Sequence, residues 1–440
     1  MKTLTNLIVY ILFGSFIISC GTGQYLGFKK KKIPLEGKRV SVLKDIKSSR
    51  KKVVDLGKIK ISEEIVVSEW KQSFNSPLHT SYNYLSESEF NKFNRIISGV
   101  GEGDSKKILS QPLVSQNILF FLDADGNVIA YDLKKNKLKW KKSIIIKADK
   151  GHNIGGGIAV SDNSIFIGSP YGEIICLDLN DGKTIWKKNT LTPVRATPTV
   201  TDNKVVILTL DNRTMVFDVR NGNVIWEHQG ISSLTSIIGQ PKIAIEGNLL
   251  ITPYSNGDIF ALNLTNGAEL WKHTAVSIEK SETSNSFTDI DANPIIFKNL
   301  IIIGSTSGKI LALNKKNGNQ IWEQYLNTTQ TPLVNGNSIY VIHNNKEIVC
   351  LDIKSGNIRW ITTLNKKLSN VQDYSLWLTP VLINSKLIIL GGNRNLLILN
   401  PYNGDLEKNH LLPNVPIIPP IIVNKRVLLM FKNSDIFYID

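Results

Sequence analysis

Cysteine is scarce: the 440 residues contain three, Cys20, Cys176 and Cys350. Their wide spacing excludes a disulfide framework and any CxxC metal site. The six histidines, His79, His152, His228, His273, His343 and His410, never fall at zinc-ligand spacing. No GxSxG marks a nucleophile elbow. The run Gly155-Gly156-Gly157 lacks the Lys-Ser/Thr of a phosphate loop and leads into a strand, where a phosphate loop opens a helix. It reads as a structural turn. Asp123-Ala124-Asp125-Gly126 begins like a calcium loop, but the position that needs glutamate is Lys134, so it reads as a hairpin turn. These absences leave no catalytic residue, metal or cofactor to assign. The chain reads as a non-enzyme.

Charge is unevenly spread. The formal net charge is +15, yet the stretch 24–60 alone holds thirteen Lys or Arg and three acidic residues. A basic tail differs from a basic domain. Ahead of it, Lys2 and the apolar run LIVYILFGSFII (7–18) form the n- and h-regions of a secretory signal. The run is shorter than the ~20 residues that span a bilayer. Ile17-Ile18-Ser19-Cys20 resembles a bacterial lipobox, which implies lipidation of Cys20. Residues 1–19 are then a signal peptide. Residues 20–60 are a lipidated cysteine followed by a self-repelling, extended basic tether. Export from the cytoplasm argues against a nucleic-acid partner.

The remainder, 61–440, is repetitive. GEIICLDLNDGKTIW (172–186), GDIFALNLTNGAELW (257–271) and GKILALNKKNGNQIW (308–322) share one pattern. NRTMVFDVRNGNVIW (212–226), KEIVCLDIKSGNIRW (346–360) and GNVIAYDLKKNKLKW (126–140) follow it, the last with Asn136 in a glycine slot. The pattern is an alternating strand, an Asp or Asn, an Asx-Gly or Ser-Gly turn, and a strand carrying Trp. Asx-Gly provides the positive φ of a tight turn. The Trp brings a large apolar surface to one fixed place per repeat, suited to packing between repeats. The slots are Trp140, Trp186, Trp226, Trp271, Trp322 and Trp360, with Lys408 in a seventh. Their spacing holds about four strands and turns, the size of a propeller blade. After Pro420 the chain has three strands and stops before a fourth. The segment EIVVSEWKQS (64–73), with Trp70, is the expected missing strand. The expectation is an all-β, eight-bladed propeller of four-stranded antiparallel blades, closed by pairing an N-terminal strand with the C-terminal blade. Cys176 and Cys350 share a slot with Ala130, Ala261 and Ala312, and should be small, buried and unpaired.

The repeat resembles that of pyrroloquinoline-quinone-type propellers. With the lipobox and the segments PLEGKRVSVL (34–43), PVRATPTV (193–200), HQGISSL (228–234) and TPYSNGDIFALN (252–263), residues 34–440 are similar to the BamB family of β-barrel assembly machinery lipoproteins. That resemblance implies a scaffold at the periplasmic face of the outer membrane, anchored by its lipid. It would bind the POTRA domains of BamA, other subunits of the machinery and nascent outer-membrane β-barrel proteins. The family's docking loops align with Leu234, Ile237 and Ile238, where isoleucine stands in place of the family's arginine, and with Asp289 and Asp291. The alternatives are a quinone-dependent periplasmic dehydrogenase, although the Cys-Cys pair many such enzymes carry is absent, or an adaptor of another envelope complex.

Overall fold

Alternating side chains give each repeat two apolar faces, which only neighbouring sheets can bury. The computed structural model describes residues 56–145, 153–194, 196–231, 241–275, 290, 292–305, 308–344, 346–364 and 376–440. The lipobox, Cys20 and most of the basic tether lie outside them. Contacts separate Met1–Ser48 from Ser49–Asp440, and the fold below belongs to the second unit. The described residues form eight four-stranded antiparallel sheets, one of them extended by two short extra strands. This is the layout of an eight-bladed propeller. The innermost strands, in blade order, are Leu113–Ser115, Gly157–Ser161, Thr199–Thr201, Ala244–Glu246, Ile295–Phe297, Leu333–Asn335, Val381–Ile383 and Ile421–Val423. In blades 1 to 7 three more strands follow in chain order.

Neighbouring blades are joined by the tryptophans. Trp140 donates its indole N–H to the Leu179 carbonyl of the next blade at 3.1 Å. Trp186 does the same to Val219 at 2.9 Å, Trp226 to Leu264 at 2.9 Å and Trp271 to Lys315 at 3.0 Å. Trp322 donates to Ile353 at 3.0 Å and Trp360 to Pro401 at 3.2 Å. Each ring also lies flat against the turn glycine of the next blade. At Gly222, which has φ +68°, an added Cβ would sit 2.5 Å from the Trp186 ring. Glycine is therefore required twice there, by backbone conformation and by the ring.

The turn has its own local cause. Asp178 closes the third strand of blade 2 and accepts the Asn180 N–H at 2.7 Å. Asp218, Asn263, Asn314 and Asp352 hold the equivalent turns, the Asx-turn chemistry that selects these residues. Across the sheet Ala130 faces Trp140, Cys176 faces Trp186 and Cys350 faces Trp360. A small residue opposite the indole leaves room for it. Both described cysteines are buried and free, as their slot predicts, and burial pushes their thiols up to about 11 and about 12.

The fourth strand of blade 8 differs from expectation. Phe93–Ser98, not 64–73, pairs antiparallel with Asp435–Ile439. Asn94 faces Tyr438 there, in the register where other blades place Trp. Trp70 is 2% exposed and sits on the inner edge of blade 1, exchanging backbone hydrogen bonds with Val114 at 2.7 and 2.9 Å. The misassignment has a physical source. A Trp after an alternating run signals burial, and an inner-edge strap buries Trp as well as an outer strand does. Only Glu64–Ile65 within 64–73 is a regular strand, and it pairs parallel with Asn83–Tyr84. The odd tryptophan, Trp377, is fully buried against Gly391 and Gly392.

Residues 58–88 carry His79, which is 3% exposed and bonded through Nδ1 to the Pro294 carbonyl at 2.8 Å. Burial, with Lys242 nearby, lowers its pKa from 6.5 to about 3. Across that window the unfolded chain binds a proton that the folded chain refuses, so stability falls as pH drops from 6.5 toward 3. Replacing His79 with Gln should flatten this part of the pH–stability curve; an unchanged slope in urea titrations at stepped pH would contradict it. Trp186→Ala should destabilise by about 3–5 kcal/mol, and Trp186→Phe, which keeps a ring but loses the indole bond, by less. Chemical denaturation checks both, and equal losses would show that the hydrogen bond, not the ring, carries the contact.

Candidate functional site

In an antiparallel blade, turns alternate between the two faces of the ring. One face carries the turns between second and third strands together with the connections to the next blade. On that face, three consecutive stretches of blades 2 to 4 are tied into one platform. Arg213 donates to the Thr190 carbonyl, and Thr192 Oγ1 donates to Asp211 at 2.9 Å. Asn212 is 1% exposed and donates to the Ile231 carbonyl at 2.7 Å. Its amide oxygen accepts the Ser255 N–H at 3.1 Å. Gln229 spans the same turn, donating to the Asp211 and Gly230 carbonyls at 2.8 Å each.

Two aliphatic side chains stand out from this polar platform. Leu191 is 80% exposed and Ile231 is 70% exposed. Leu191 also has φ +65°, a conformation that L-residues with ordinary side chains avoid. Its N–H is held by Asn189 at 2.6 Å. A strained backbone holding an exposed apolar side chain makes this position a candidate for recognition. Neither residue follows from the repeat pattern, although Ile231 lies within HQGISSL. The available signal was an aliphatic residue inside an otherwise polar connection.

Beneath Ile231 lies a second cluster. His228 bonds through Nδ1 to the Tyr254 hydroxyl at 2.7 Å and through Nε2 to Glu269 at 2.8 Å. Tyr254 also meets Thr214 at 3.0 Å. A carboxylate, an imidazole and a hydroxyl in series suggest a nucleophilic relay. Burial decides against that chemistry. Tyr254 is 0% exposed, and burial drives its pKa far above the usual phenol value, so the hydroxyl neither ionises near neutrality nor meets a substrate. The cluster is a buttress: an added Cβ at Gly230 would lie 2.3 Å from the Tyr254 ring, so the connection rests directly on it.

The residues expected from sequence for partner binding, Leu234, Ile237, Ile238, Asp289 and Asp291, lie outside the described residues, as does lipidation at Cys20. Their described neighbours are informative. Ile231 immediately precedes the first group. Ile290, between the two aspartates, is fully buried among Ala244, Ile251, Ala275 and Ile296. Asn293 accepts the Lys242 N–H at 2.7 Å and donates to Thr331 at 2.8 Å. Among the described residues no group of three His, Cys, Asp or Glu side chains could hold a metal ion. No described helix is long and apolar enough to cross a membrane.

Comparison with known proteins gives this geometry a context. The chain is 24% identical over 339 residues to an uncharacterized protein of Rickettsia prowazekii, covering 76% of this chain and 80% of that one. It is 20% identical over 347 residues to the outer membrane protein assembly factor BamB of Yersinia pestis, covering 77% and 86%. Among solved structures, BamB from Moraxella catarrhalis superposes with TM-score 0.66 at 17% identity, over 79% of this chain and 99% of that one. The quinohemoprotein alcohol dehydrogenase of Comamonas testosteroni reaches the same TM-score of 0.66 at 11% identity, over 84% and 80%. These two likenesses establish the fold alone. The family model described as outer membrane protein assembly factor BamB matches residues 124–362, more than half of the chain and nearly six of its eight blades. With its tryptophan-docked blades and the match across them, this chain belongs to the outer membrane protein assembly factor BamB family.

Proposed function

We propose that this protein is a non-enzymatic scaffold lipoprotein of the β-barrel assembly machinery. It binds the POTRA region of BamA and assists insertion of β-barrel proteins into the outer membrane. The observation that carries this reading is the platform of blades 2 to 4, where Leu191 and Ile231 stand exposed on a rigid hydrogen-bonded base. Pre-organised apolar anchors with a polar surround are what a standing protein–protein interface requires. Leu234, Ile237, Ile238, Asp289 and Asp291, which lie outside the described residues, are proposed as further partner-binding residues, the two carboxylates supplying charge complementarity.

The anchor fits this arrangement. Lipidated Cys20 and the basic tether hold the protein at the periplasmic side of the outer membrane. The chain enters the described fold at Leu56 and Gly57, whose carbonyls accept from Arg359 of blade 6. It then passes Asn337, in the turn between the first two strands of that blade. Those turns lie on the face opposite Leu191 and Ile231.

The dehydrogenase alternative is weaker. A cofactor on the ring axis would meet the protein's own residues 58–88 there, and in the Tyr254–His228–Glu269 series the hydroxyl itself is buried.

Leu191→Asp and Ile231→Asp should each weaken binding of purified BamA POTRA domains at least about tenfold, equivalent to ~1.4 kcal/mol. Thermal stability should hold, because exposed positions tolerate substitution and aspartate accepts the positive φ of position 191 better than leucine. Unaltered affinity in both variants would discard this face. Cys20→Ser should move the protein from the membrane to the soluble periplasmic fraction; retention in the membrane would place the anchor elsewhere.

A further inference from the structure

The eight innermost strands of a propeller present open edges toward the axis. Unpaired strand edges attract other chains and are covered in stable proteins. Here one segment of the chain visits all eight. The Lys60 carbonyl accepts the Asn337 N–H of blade 6 at 3.3 Å, and the Val67 carbonyl accepts Asn424 of blade 8 at 2.8 Å. The Trp70 carbonyl takes Val114 of blade 1 at 2.9 Å, and the Lys71 carbonyl takes Val160 of blade 2 at 2.7 Å. In blade 3 the Gln72 side-chain oxygen accepts Val200 at 3.3 Å. The lap continues through Pro77 to Ile245 of blade 4 at 2.8 Å and Leu78 to Ile296 of blade 5 at 3.0 Å. It then returns past blade 6, where Asn335 donates to the Ser81 carbonyl at 3.2 Å. It closes at blade 7, where the Tyr84 carbonyl accepts Asn384 at 2.9 Å.

We infer that residues 58–88 form an axial clasp: a built-in ligand that hydrogen-bonds to every blade, at its innermost strand or the turn that follows it, and holds the ring as one unit. Five of the nine donors, Val114, Val160, Val200, Ile245 and Ile296, are the equivalent residue of the innermost strand. The clasp therefore reads the eightfold repeat of the ring with a chain that has no repeat of its own. It supplies what is needed residue by residue, through a carbonyl in seven blades and a glutamine amide in one. Side chains complete the fit. Asn83 is 0% exposed, donating to Ser385 at 3.0 Å and accepting from it at 3.0 Å. Trp70 and Tyr84 pack ring against ring, 5.4 Å between centroids.

The clasp runs directly on, through Ser88, into Phe93–Ser98, the outer strand of blade 8. Ser88 Oγ donates to the Ile439 carbonyl at 2.6 Å. One continuous stretch thus secures the last blade at both its inner and outer edges, and the fold closes on the axis as well as at the rim. An extended peptide adding to these inner strands would have to displace the segment first. This inference is independent of which partner the protein docks.

Hydrogen exchange on the full-length protein tests it. The inner strands of all eight blades should exchange about a hundredfold more slowly, or slower still, than the exposed turns, and residues 64–84 should be protected with them. Rapid exchange along those inner strands, as an open channel would allow, overturns the clasp. The double variant Trp70→Ala, Tyr84→Ala provides the second reading. If the clasp is a single unit, protection falls at the inner edges of all eight blades, including blades 3 to 5, which neither side chain touches through the backbone. Loss confined to blades 1 and 7 would overturn it. Should this variant not fold, the exchange pattern of the native chain decides by itself.

Discussion

Everything in this structure depends on a flat indole lying on a glycine. Each outer-strand tryptophan from Trp140 to Trp360 covers the turn of the next blade and donates its N–H to a carbonyl beside it. The contact combines a large apolar burial with one directional bond, so it sets both the strength and the angle of the blade-to-blade junction. It also explains the Asx-Gly turn. The carboxylate or amide shapes the turn, and the glycine both adopts positive φ and leaves the ring space. A side chain there would push adjoining blades apart.

That junction runs through the first seven blades and lapses where the chain ends meet. Lys408 occupies the slot in blade 7, facing Ile398, and Asn94 occupies it in blade 8. Other interactions take over there. One hydrophobic cluster unites blade 7, blade 8, blade 1 and blade 2 through residues such as Ile398, Leu429, Phe121 and Ile165. Phe93–Ser98 adds the rim strand, and residues 58–88 add the axial bonds. The part of the ring without tryptophan docking is the part where the non-repetitive N-terminal stretch contributes most.

The repeats were legible because their cause is local. Alternation, an Asx residue, glycine and Trp lie within fifteen residues of one another, and each has a single structural meaning. The cysteine slots followed from the same register, as did Asn136, which takes φ +55° where its neighbours use glycine. The N-terminal stretch was not legible for the opposite reason. Its bonds reach across hundreds of positions, as from Lys60 to Asn337 or Asn83 to Ser385, and they use carbonyls, which every residue carries. Trp70 pointed to burial correctly but to the wrong edge of the sheet. Of the proposed docking surface, the sequence pointed to the connections but not to Leu191 or Ile231. Their exposure depends on which turns Asn212 and Asp211 tie together in space.

The resulting picture is a ring laced along its inner strands by its own chain, with a polar, buttressed platform on one face from which Leu191 and Ile231 stand exposed. The most direct test is a photocrosslinking residue placed at position 231 in cells, with the product identified by mass spectrometry. The account predicts a crosslink to the POTRA region of BamA. A single strong crosslink to a different envelope protein, from a folded and membrane-bound sample, would contradict it.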